Sequence, residues 1–213
     1  MKNANVGLFC AIFGGLIAAF GMPEPAQAQS SDSAGPIILK NAGRQDLEGH
    51  TPTTFQGQGV GLFIGDNLNA GFPAGAGLQM FLHFDLSKLP AGIRINTAVL
   101  SSKFAHIRSR PLNSLGSILV DNVTYPRFSS GLWNTPRGAA ACVLTRRTNG
   151  EFGCDLAPSL SRALSQGKKT LALRLRFEHN SDNDGRLDLL SFYSTRPNEN
   201  VPGIFMIAVT PKP

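Results

Sequence analysis

The chain has 213 residues, of which 42% are aliphatic or aromatic and 16% charged, with a formal charge of +6. That balance excludes a disordered polyelectrolyte, and no apolar run is long and clean enough for a multi-span membrane protein. The 23 Gly and 14 Pro argue for many turns, as in an all-β domain.

Residues 1–28 hold one Lys, an apolar stretch from Val6 to Phe20, and an end at Ala26-Gln27-Ala28. This is the order of a secretory signal peptide, cleaved after Ala28. The competing reading is a retained anchor, but the run is short and broken by Gly14 and Gly15. Cleavage removes one Lys and one Glu, so the charge stays +6. The protein is then exported, periplasmic or secreted, with no membrane segment left. Residues 29–36 are small and polar, a flexible lead-in. No internal repeat or second linker follows, so 37–213 reads as a single domain.

Strand signals recur at 37–40, 60–64, 78–84, 97–107, 117–125, 140–145, 171–177, 187–194 and 204–209. In the 171–177 run, Leu171, Leu173, Leu175 and Phe177 point one way. Ala172, Arg174 and Arg176 point the other, as in an antiparallel strand with one face in solvent. Cys142 and Cys154 flank Asn149-Gly150, a strong hairpin signal. In an exported chain two such cysteines form a disulfide, closing a loop of about 13 residues and contributing about 3 kcal/mol. One helix is expected after Asp155, with Pro158 in its first turn, Leu156, Leu160, Ala163 and Leu164 on one face, and Gly167 ending it. The fold class is therefore all-β: an antiparallel β-sandwich, jelly-roll-like, with one short helix.

The run Phe84-Asp85-Leu86-Ser87-Lys88-Leu89-Pro90-Ala91-Gly92-Ile93, with Ile95, Ala98 and Leu100, resembles a block of DNRLRE-type domains, a group of extracellular β-sandwich modules. Trp133-Asn134-Thr135-Pro136 is similar to the group's W-N-x-P loop. Phe192 to Arg196, followed by Pro202 to Phe205, is similar to its closing strand. The resemblance covers 78–210; the name-giving hexapeptide is absent. It implies a carbohydrate-binding-module-like role without catalysis, by analogy of fold. The same block has a local physical reading: Asp85 accepts backbone N–H groups of the turn that follows it.

Three constellations could carry function. Asn180, Asp182, Asp184 and Asp188, with Gly185 between them, follow the opening of a calcium loop, where alternate oxygens converge on one hard cation. The departures are Asn180 in first place and Ser191 where a bidentate Glu belongs. The competing reading is a polar hairpin loop. Arg174 and Arg176, about 7 Å apart on a solvent-facing strand, with Arg108 and Arg110, suit the carboxylates or sulfates of an acidic polysaccharide. Otherwise they are an ordinary solvated face. Trp133 is either a sugar platform or a plug at one end of the sandwich.

No His, Ser or Cys spacing selects an enzyme. Nothing matches a nucleic-acid-binding motif. The leading expectation is an exported, non-catalytic module that binds an extracellular or cell-wall polysaccharide, preferably acidic. The alternatives are a structural envelope protein that binds another protein, and a small polysaccharide lyase or hydrolase.

Overall fold

Main-chain pairing is antiparallel throughout, and alternate side chains of nearly every strand meet in one buried core. The computed structural model describes residues 35–66, 73, 75–102, 106–147, 151–192 and 205–213. The expected signal segment, most of the lead-in, Asn149-Gly150, Tyr193 and residues 193–204 lie outside them. All described residues belong to one compact unit, Ser33–Pro213.

The described residues form twelve strands. They are β1 (Ile37–Lys40), β2 (Gly49–Pro52), β3 (Leu62–Asp66), β4 (Gly77–Asp85), β5 (Ile95–Ser102), β6 (His106–Arg108), β7 (Ile118–Val123), β8 (Cys142–Arg146), β9 (Phe152–Asp155), β10 (Thr170–Phe177), β11 (Leu189–Phe192) and β12 (Phe205–Pro211). One layer runs β1-β12-β5-β9. The other runs β7-β10-β4-β3-β11-β6, with β2 also on β4. The sandwich expected from the sequence is therefore present. Two strands were not expected, β2 and β9. Both are short and lack a clear alternation, Gly49-His50-Thr51-Pro52 and Phe152-Gly153-Cys154-Asp155.

β8 belongs to both layers. Its first half pairs with β7, setting Cys142 opposite Val120 and Leu144 opposite Ile118. Its second half pairs with β9. The strand turns the corner, and the two layers curl into a half-barrel. A disulfide joins Cys142 to Cys154 across this corner, with Cα atoms 6.0 Å apart.

Between the layers Leu82, Leu100, Leu173, Leu175, Phe205 and Ile207 are fully buried. Phe192 bridges them, 4.9 Å from Phe205 and 6.5 Å from Phe152 between ring centres. The expected helix is α2 (Ala157–Ser165); a four-residue helix α1 (Pro111–Ser114) was not foreseen. Asp155 accepts the Ala157 N–H at 2.8 Å. At the other end Lys168 N–H donates to Ala163 O and Gly167 N–H to Leu164 O, a Schellman end that needs the positive φ of Gly167. Leu156, Leu160 and Ala163 seal one end of the core.

The second layer is covered on its outer face too. After β7 the chain folds back over β10 and β4. Tyr125, Phe128, Phe81 and Ala172 form a second small core, with Leu132 against it. Tyr125, a possible platform by residue type, is buried, and its hydroxyl donates to Leu47 O and Leu82 O. This cover overturns the solvent-facing placement of Arg174 and Arg176. They do face away from the main core, but they are 1% and 6% exposed. Arg174 donates twice to Asp121 Oδ2, at 2.9 and 2.6 Å, and to Thr135 O and Pro136 O. Arg176 donates to the same oxygen at 2.9 Å. Neither guanidinium can reach a polymer outside.

Removing one partner of a buried charge group leaves the others desolvated and unpaired. Asp121→Ala should therefore destabilise by about 3–5 kcal/mol in denaturant unfolding. Arg174→Met, which leaves Asp121 paired to Arg176, should cost clearly less. Equal losses for the two variants would contradict the assignment of Asp121 as the shared partner.

Candidate functional site

β4 runs the length of the second layer, and its ends carry opposite charge. At its start, Gly77 lies against the loop 178–188. A Cβ on Gly77 would sit 2.3 Å from Asn180 O, and one on Gly65 would sit 2.1 Å from Asp188 O. Only glycine at these two places lets the loop seat against the paired ends of β3 and β4. Asp66 N–H then donates to Asp188 O at 2.7 Å.

This seating gathers carboxylates. Oxygens of Asp182, Asp184 and Asp188 lie within 4.8 Å of one another. The loop is shaped by its own side chains: Asp182 Oδ1 accepts Asp184 N–H, and Asp184 Oδ1 accepts Arg186 N–H at 2.7 Å. Asn183 and Gly185 adopt positive φ. Asp188 is buried, and its Oδ1 accepts Arg110 N–H at 2.9 Å. Thus Arg110 contributes a backbone group here.

Asn180, expected as the first ligand, has its Oδ1 engaged by Arg137. Asp66, which sequence reasoning missed, lies on β3 near the three without joining their cluster. It is buried and accepts a short hydrogen bond from Ser181 Oγ. Burial pushes the Asp66 carboxyl above its usual range; the Ser181 hydroxyl opposes this, and the charges of Asp182, Asp188 and Asp184 add to it. Its only sequence signal was a carboxylate closing an apolar strand.

Beyond the far end of β4 lies a groove of about 750 Å³. Its floor is apolar, from Leu86, Leu89, Ile95 and Leu164. Arg94, Lys168, Lys169 and Lys212 line it, and no carboxyl or imidazole does. The cations stand on tied backbone. Lys212 N–H donates to Arg94 O, Leu86 N–H to Lys169 O, and Lys168 N–H to Ala163 O. Among the described residues none of the four side chains has an ion-pair or hydrogen-bond partner. Asp85 lies next to the groove, but its Oδ1 is taken by Ser87 N–H and Oγ at 2.9 and 2.6 Å, which holds the carboxyl below its usual range. A smaller hollow of about 280 Å³ on the other flank of α2 shares Lys168 and adds Arg162.

The remaining expected site residues are scattered. Arg108 lines a third groove, on the outer face of β3, β11 and β6. Trp133 is half-buried in a 3₁₀ turn (Ser130–Asn134), where its carbonyl accepts Gln79 Nε2 at 2.8 Å. It lines none of these three grooves. Arg108, Arg110, Arg174, Arg176 and Trp133 therefore do not form one surface. Of these three grooves, the one lined by the most cations uses lysines and an arginine that no motif marked. Compared with known proteins, the chain matches no family model and no curated relative.

With its folded pKa raised, ionised Asp66 costs stability above that pKa, and the cost fades as pH falls below the ordinary carboxyl value of about 4. In chelator at about pH 7, Asp66→Asn should raise Tm by about 2–4 °C, and the gain should vanish near pH 4. A variant less stable than its parent at pH 7 would show that Asp66 carries no such cost.

Proposed function

We propose that this protein is an exported, non-catalytic module that binds an acidic extracellular or cell-wall polysaccharide in the groove beyond the end of β4. The carrying observation is the set of four cations without partners among the described residues, Arg94, Lys168, Lys169 and Lys212, around one opening with no carboxylate among its lining residues. Like charges that share an opening repel one another, and an anion that enters relieves this. The apolar floor suits the hydrophobic face of a sugar ring, while the rim suits its carboxylate or sulfate. Such a groove recognises a polymer by repeated weak contacts, each sensitive to salt because the cations are exposed. The absence of a carboxyl or imidazole from its lining favours binding over acid–base chemistry there. Export is supported by the pattern of residues 1–28 and by the Cys142–Cys154 bridge, which suits an oxidising compartment. The resemblance of residues 78–210 to DNRLRE-type modules points the same way.

Retention on immobilised polygalacturonate, alginate and chondroitin sulfate tests the reading. At least one should hold the protein at low salt and release it by about 0.5 M salt, where the screening length is only a few ångströms. Neutral dextran should not hold it. The triple variant Lys168→Gln, Lys169→Gln, Lys212→Gln should elute earlier, with its Tm unchanged. Retention that survives the triple variant, or none on any acidic polymer, would overturn the reading and favour an envelope protein as partner.

The acidic end supports a second element of this reading, a calcium ion held by Asp182, Asp184 and Asp188. Calcium takes six to eight hard oxygens, and oxygens of these three side chains approach one point. Its role is to hold loop 178–188 in one shape. Calcium at about 1 mM should raise Tm by about 3 °C, and Asp184→Asn should remove the response. A Tm that is the same in calcium and in chelator would rule the ion out.

A further inference from the structure

The basic groove does not account for the smaller hollow on the other flank of α2. Ser161, Leu164 and Ser165 line the groove, while Ser159, Arg162, Ala163 and Gln166 line the hollow. At about 100° per residue these two sets fall on opposite flanks of the helix, with Leu156 and Leu160 between them in the core. The fourth side is exposed through Pro158, Ser161, Arg162 and Ser165. A solvated surface usually mixes charges of both signs. α2 carries no acidic residue, and its one charge is Arg162. Lys168 lies just past the helix end and lines both openings. The way from one to the other runs over Ser165 and Gly167. A Cβ on Gly167 would meet nothing within 4 Å, so this crossing is open to solvent.

A helix C-terminus carries about half a negative charge on its free carbonyls, which opposes an anion. Here the carbonyls of Arg162, Ala163 and Leu164 accept from the N–H groups of Gln166, Lys168 and Gly167. Arg162 and Lys168 add two positive charges beside that end, so the balance there stays positive. No carboxyl or imidazole lines the hollow. Among the described residues neither cationic side chain has a partner. Ser159 is 8% exposed, and its Oγ accepts from Asn122 Nδ2 at 2.9 Å. Its own proton has no acceptor among the described residues. A buried hydroxyl is normally satisfied, so Ser159 offers a hydrogen bond to an oxygen that enters the hollow. Val123 and Ala172 supply an apolar wall. Pockets for drug-sized ligands run from about 300 to about 1,000 Å³, so the hollow of about 280 Å³ suits a single ring and the groove of about 750 Å³ more than one.

We infer that the hollow is a second subsite for the acidic polymer of the groove: the polymer crosses the last turn of α2 and sets one further acidic sugar between Arg162 and Lys168, with an oxygen of that sugar on the Ser159 hydroxyl. The inference rests on the groove being a polymer site. A helix is about 10 Å across, a span of about two sugar rings, so a fragment of about four units joins the two places. A fragment of about two units fills one place only. Linked contacts reinforce each other, because the second forms on a chain already held by the first. The protein therefore selects acidic chains by length and discriminates against single acidic sugars.

Calorimetric titration of the purified protein at low salt tests the subsite. The probes are oligogalacturonate, oligomannuronate and chondroitin sulfate fragments of about two to about eight sugar units. In at least one series affinity should rise about tenfold or more between about two and about four units and then level off. Arg162 lines the hollow and not the groove, and Thr124 is an exposed residue on the hollow's wall. Arg162→Gln, and Thr124→Trp, which fills the hollow without emptying the core, should each cut that rise to about threefold or less, with Tm unchanged. Lys212→Gln, in the groove alone, should weaken every length about equally. Affinity that does not change with length, or a rise undiminished in either hollow variant, would overturn the subsite and leave the groove as a polymer site. Binding of no fragment would overturn it as well, and retention on the immobilised polymers then decides separately whether the groove reading stands.

Discussion

Asp121 lies buried on β7, at one end of the longer layer, with one oxygen shared by Arg174 and Arg176. Both guanidinium groups come from β10 and the carboxylate from β7, so the cluster ties two neighbouring strands through side chains as well as backbone. Arg174 also reaches Thr135 O and Pro136 O, which pins the covering segment onto the outer face. The cluster keeps a net charge of +1 out of water. That is costly, and burial holds the Arg174 pKa below its usual value. The cost is offset by multiple short hydrogen bonds and by the second core of Phe81, Tyr125 and Phe128 beside it. Without the cover, Arg174 and Arg176 would stand in solvent as ordinary surface cations.

The cover leaves open surface only at the ends of the layer and on its uncovered flank. β10 and the middle of β4 are buried on both faces, so the open surfaces lie where strands end or where the layer continues past the cover. One end collects carboxylates from β3 and loop 178–188, the other collects cations from three separate segments, and the flank keeps outward apolar residues. A buried Glu48 helps hold the layers in place. Its carboxylate accepts from Asn41 Nδ2 and from the N–H groups of Ala42, Gly43 and His83. It thereby fixes the turn after β1 onto β4, although burial raises its pKa.

Much of this was legible in the residues. Alternation located β1, β4, β10 and β12 to within a residue or two, because a strand with one face in a core must repeat every second position. α2 and its glycine stop followed from local chemistry. The Cys142–Cys154 pairing followed from a hairpin that brings near neighbours together. β2 and β9 were not legible, because their pairing depends on β4 and β5 rather than on any pattern of their own. The 97–107 run read as one strand and is two, β5 and β6, in different layers. The loop 178–188 showed its alternating oxygens, but not that Asn180 would accept from Arg137 or that Ser181 would donate to Asp66, on a strand more than a hundred residues earlier.

The sequence by itself determined the fold class, the order of most strands, the helix and its end, and the clustering of Asp182, Asp184 and Asp188. These rest on periodicity and on contacts between residues close in the chain. Only the tertiary structure decided which charges face solvent. Period-two alternation separates two faces of a strand, but it cannot say whether a later segment will cover the second face. That is why Arg174 and Arg176 passed for surface residues. It is also why the groove of Arg94, Lys168, Lys169 and Lys212 carried no motif: its cations come from loops brought together only when the ends of β4 and β12 and the starts of β5 and β10 meet.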